Sequence, residues 1–155
     1  MEGLKPRGVK LVNRRESEHE MGTWGTGPFD SDMAEDFVDP LEDLSPAQRA
    51  ERLRARLEKA VSADGDDKLP GEVLAAAAVV AASLPTGRGL PWNEDYEGIE
   101  SWLSPDDTGG LARLAERALV VTLAPDSWYW TSWTDGEDSA EARAVHDSLR
   151  QVLQA

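Results

Sequence analysis

The chain has 155 residues, with 16 Lys and Arg against 30 Asp and Glu and no cysteine. That length suffices for one hydrophobic core, and the lack of thiols excludes disulfide frameworks, thiolate metal sites and cysteine nucleophiles. Charge is segregated: residues 1–19 carry five bases and three acids and the rest eleven against twenty-seven, a field that repels phosphate backbones and anionic lipid and favours a basic protein partner.

Residues 1–20 show neither helical nor strand periodicity and read as a disordered arm or as a mis-called upstream extension before Met21. The basic start MEGLKPRGVKLVNRR is not followed by the apolar stretch of a secretory signal, so the expected location is the cytoplasm. Residues 21–155 are expected to form a single helical domain.

GTWGTGP, residues 22–28, has the profile of an irregular loop. A helix is expected next, because Asp30, Ser31 and Asp32 offer capping oxygens and Ala34, Phe37, Val38 and Leu41 recur at helical spacing. Pro40 should kink that helix or end it early. Ser45 and Pro46 then punctuate a helix over 46–62, with Ala50, Leu53, Leu57, Ala60 and Val61 as its apolar stripe and Arg49 and Arg56 on a solvated face. Pro70 starts a third helix, apolar on every side from Val73 to Leu84, which belongs at the centre of a bundle. Those twelve residues fall short of the roughly 20 that cross a bilayer.

Residues 85–110 read as a long acidic connection, with no base between Arg88 and Arg113 and one helical turn at 97–103. A strongly amphipathic helix follows at about 108–124, carrying Leu111, Leu114, Ala115, Ala118, Leu119 and Thr122. A last helix near 138–154 presents Ala142, Val145, Leu149, Val152 and Leu153, with Arg143, His146, Asp147 and Arg150 outside the stripe. The expected fold is therefore all-α, a compact bundle of about five helices.

Few constellations carry chemistry. The turn Asp64, Gly65, Asp66, Asp67 invites a calcium reading, but the fifth and sixth positions of such a loop fall on Lys68 and Leu69. No phosphate loop, dinucleotide fingerprint or HExxH motif occurs, and His19 and His146 leave nucleophilic triads without a plausible base. No catalytic residue, metal or cofactor is assigned. Two segments could bind something. In residues 22–37 a small-residue loop can fold Trp24 and Phe29 back onto the bundle while Asp30, Asp32 and Asp36 gather at a helix N-terminus. In SWYWTSW, residues 127–133, Trp128, Trp130 and Trp133 can fill a core, a dimer interface or a binding surface.

The segment Trp24, Gly25, Gly27, Phe29, Asp30, Ser31, Asp32, Ala34, Asp36 and Phe37 resembles the near-N-terminal W-G-x-G-x-F-acid-polar-D-x-A-x-D-aromatic signature of a bacterial family, domain of unknown function 4259. The likeness runs from Met21 to about Leu84. It departs from the family pattern at Pro40 and in the Trp-rich stretch 126–134. The resemblance implies a compact helical fold and no reaction. Two functional classes remain open: a non-enzymatic, acidic protein-interaction protein of antitoxin or immunity type, or a carboxylate-based enzyme or small-ligand-binding protein with its site near WGTGPFDSD.

Overall fold

The computed structural model describes residues 27–62, 70–124 and 136–154. Among them are five α-helices and no β-strand: α1 Asp32–Val38, α2 Pro46–Ser62, α3 Pro70–Ala82, α4 Pro105–Thr122 and α5 Gly136–Gln154. The arm 1–20, the turn at 64–67 and the stretch 126–134 lie outside the described residues.

Each helix start with a described cap follows from local chemistry. Ser31 Oγ accepts from the Ala34 N–H at 3.1 Å and opens α1. Ser45 and Gln48 form a reciprocal box, Gln48 N–H donating to Ser45 Oγ at 3.2 Å and Ser45 N–H to Gln48 Oε1 at 3.0 Å. Ser104 caps α4 by accepting from the Asp106 N–H at 3.2 Å. That helix begins at Pro105, three residues earlier than its apolar period suggests. Pro40 stops α1 as a regular helix at Val38, and the chain continues as a 3-10 turn over Asp39–Asp43.

The connection at 85–104 is more ordered than one helical turn. It winds through three 3-10 segments, Pro85–Gly87, Pro91–Asp95 and Ile99–Ser101. Gly87 is buried, and a Cβ there would collide with the Ala81 carbonyl oxygen. Only glycine lets the chain pass so close to the end of α3.

α3 occupies the centre. Every residue from Val73 to Ala82 is buried, and the helix packs against each of the other four. Its run of alanines permits that surround, because small side chains let neighbouring helices approach closely on all sides. Leu53 and Leu57 of α2, Leu111 and Leu119 of α4 and Leu149 of α5 join α3 and Val38 of α1 in one hydrophobic cluster. No helix among the described residues is long and apolar enough to cross a membrane.

Two ion pairs tie helices together at the edge of this core. Arg56 of α2 reaches Glu72 of α3 at 3.2 Å, and its side chain is only 9% exposed. It therefore departs from the solvated face expected for it. Between α4 and α5, Glu116 Oε2 accepts from Arg150 Nη2 at 2.8 Å, Arg150 Nε at 3.1 Å and Gln154 Nε2 at 3.0 Å. These donors hold the Glu116 carboxyl below the ordinary carboxylate range, the Gln154 bond contributing most.

Candidate functional site

Of the residues singled out for binding, Trp24, Trp128, Trp130 and Trp133 lie outside the described residues. Asp30 closes a tight turn. Its Oδ2 accepts from the Gly27 N–H at 3.1 Å while its own N–H donates to the Gly27 carbonyl at 3.2 Å. Asp32 and Asp36, one helical turn apart on α1, both face solvent. Phe29 is buried, as a residue folding back onto the bundle should be.

What Phe29 meets was not legible in the sequence. Its ring lies edge-on to Tyr96, 5.1 Å between centroids at 84°, and Tyr96 in turn meets Trp102 at 5.7 Å and 61°. The Tyr96 hydroxyl donates to Asp39 Oδ1 at 2.7 Å. Arg49 completes the joint. It stacks on Trp102 with 4.9 Å to the ring centroid. Its Nε donates to the Leu41 carbonyl at 2.7 Å, Nη2 to Glu42 O at 3.0 Å and Nη1 to Trp102 O at 3.2 Å.

Arg49 is thus no member of a solvated face, and neither is His146, which is only 9% exposed. A signal for all three misplaced residues was present in the spacing. Arg49 precedes Leu53 by four positions, Arg56 precedes Ala60 by four, and His146 lies between Ala142 and Leu149 at four and three, so each sits in register with an apolar stripe. Long side chains in such positions bury their stems and turn their polar ends to local acceptors. Burial lowers the pKa of Arg49, with Glu42 opposing, and that of His146, with Asp147 at 3.5 Å opposing.

The aromatic joint has an electrostatic consequence. It clamps together two stretches that contain acids and no bases, residues 30–43 with seven carboxylates and 94–107 with six. Asp32, Asp36, Glu42 and Asp43 are exposed on the first, Glu94, Glu97 and Asp106 on the second. Arg49, the nearest base of α2, directs its guanidinium at backbone carbonyls. The two joined segments therefore bring exposed carboxylates, and no base of their own, to the joint.

Beside it, the 3-10 turns leave a shallow depression of about 490 Å³ lined by residues that include Arg88, Leu90, Asn93, Glu94, Glu97 and Glu100. Gly98, at φ 76°, makes the left-handed turn that shapes one wall. Asp30, Asp32 and Asp36 do not line it. Among the described residues, no group of three or more His, Asp or Glu side chains is placed to hold a metal ion.

No curated protein and no solved structure matches the chain. A family model does match, over residues 22–145, which takes in the N-terminal signature, the aromatic joint, the depression and the first four helices. The chain belongs to the family described as Domain of unknown function (DUF4259).

Proposed function

We propose that this chain works by binding rather than by catalysis, as an antitoxin- or immunity-type protein that meets a basic protein partner in the bacterial cytoplasm. One observation carries the reading: two base-free acidic segments, far apart in sequence, are clamped side by side, and Arg49, the arginine that bridges them, spends its guanidinium on backbone carbonyls. An ordinary soluble surface intersperses charges of both signs. A continuous field of one sign steers an oppositely charged partner and speeds encounter, and it does so over about 8 Å at physiological salt.

The test is capture from the native host with the full chain as bait, comparing the intact protein with a variant carrying Asp32→Ala and Asp36→Ala. The expected result is a protein of high isoelectric point, retained at about 50 mM salt, released at about 500 mM, and recovered poorly by the variant. Recovery of no basic protein at low salt, or equal recovery by both baits at every salt concentration, would sink the reading.

A further inference from the structure

We infer that the depression at 88–100 is the anchor point of this acidic face and receives a basic side chain, Arg before Lys, from the partner; this rests on the binding reading just given. Three features converge there. First, the wall has both parts such a side chain needs, with Leu90 for the aliphatic stem and Glu94, Glu97 and Glu100 for the cation, against one base, Arg88.

Second, those three carboxylates are uncommitted. None has a hydrogen bond or ion pair among the described residues; on the α1 side the same holds of Asp36 and Asp43, which do not line the depression, while Asp30, Asp32, Asp39 and Glu42 have interactions within the chain. Carboxylates already engaged gain less from an incoming cation than those that are not.

Third, Asn93 lines the depression while only 5% exposed. Its Nδ2 donates to Gly87 O at 2.9 Å and Arg88 O at 3.1 Å, which fixes the amide and orients its other end. Oδ1 is left as a buried acceptor with no hydrogen bond among the described residues. Covered by protein rather than water, that oxygen projects its partial negative charge through low-dielectric surroundings. That charge has the same sign as the three carboxylates that line the depression with Asn93. A guanidinium fits better than an ammonium, because its planar fork can address two carboxylates at once.

An eight-residue arginine peptide serves as the probe, titrated calorimetrically into the full chain at low salt. Two variants remove the same number of charges: one carries Glu94→Gln, Glu97→Gln and Glu100→Gln, the other Asp32→Asn, Asp36→Asn and Asp43→Asn. Circular dichroism confirms that both keep their helices. The expected result is that the glutamine variant loses about tenfold more affinity than the asparagine variant, and that the Asn93 side-chain NH₂ resonances shift on binding to the parent. Equal losses in the two variants, with the Asn93 resonances unmoved, overturn the anchor and leave the acidic-face reading intact. Failure of the parent to bind the peptide at all overturns both.

Discussion

Arg49 shows how one side chain decides the character of a surface. Facing outward it would sit as a positive charge between two acidic segments; facing inward it supplies donors to three carbonyls that the turn at 39–43 and the end of the 3-10 connection leave open. Lysine keeps the charge but lacks the fork, so Arg49→Lys is expected to destabilise the fold by about 2 kcal/mol in urea titration. Full stability in that variant would mean that the three hydrogen bonds contribute little. Gly87 is a second position where a single atom matters. A methyl group there meets the backbone of Ala81 rather than a flexible side chain, so Gly87→Ala should destabilise by roughly 2–3 kcal/mol, read as a lowered urea midpoint. The aromatic joint shares this dependence on detail: Phe29, Tyr96 and Trp102 have no common period, and only the folded chain brings them together.

Helices differ in how plainly the sequence announces them. α2 begins at Pro46 and ends at Ser62, as its Ser-Pro start and apolar stripe indicate. α4 carries the same Ser-Pro start at Ser104 and Pro105, yet Gly109 and Gly110 in its second turn imitate a linker and hide it. Thr108, whose hydroxyl donates to Pro105 O at 3.0 Å, helps bind that weak turn together. α3 was legible in type because nothing polar interrupts Val73 to Ala82. What the letters could not convey was how tightly its alanines are enclosed. Ala77 is wholly buried, so Ala77→Leu, benign by helix propensity, is expected to destabilise by about 1–3 kcal/mol through overpacking, visible as a lower thermal midpoint. The site was less legible than the helices. Acids in 94–107 were evident, but their apposition to 30–43 depends on contacts between segments that local periodicity cannot connect.

At the scale of the whole molecule, a net charge of −14 sets the chain against itself, while buried titratable groups set its response to acid. Burial lowers the His146 pKa from its ordinary 6.5, so the folded state holds that proton less readily than the unfolded chain. The stability tied to His146 is complete above pH 6.5 and is lost as pH falls from there through the folded value. Glu116, also lowered, acts in the same direction at more acid pH, below its ordinary 4.5. Replacing His146 with Gln should therefore flatten the change in unfolding free energy between about pH 7.5 and about pH 5.5; an unchanged slope would exclude His146 as its source. The central position of α3 has a different outcome, in time rather than energy. Since each other helix lies against it, no partial opening that removes one neighbour exposes its amides. Their hydrogens should exchange with solvent only when the entire bundle opens, making α3 the slowest element to take up deuterium and its rate a direct reading of global unfolding. Early labelling of α3, ahead of α2 or α5, would show that the bundle comes apart in stages.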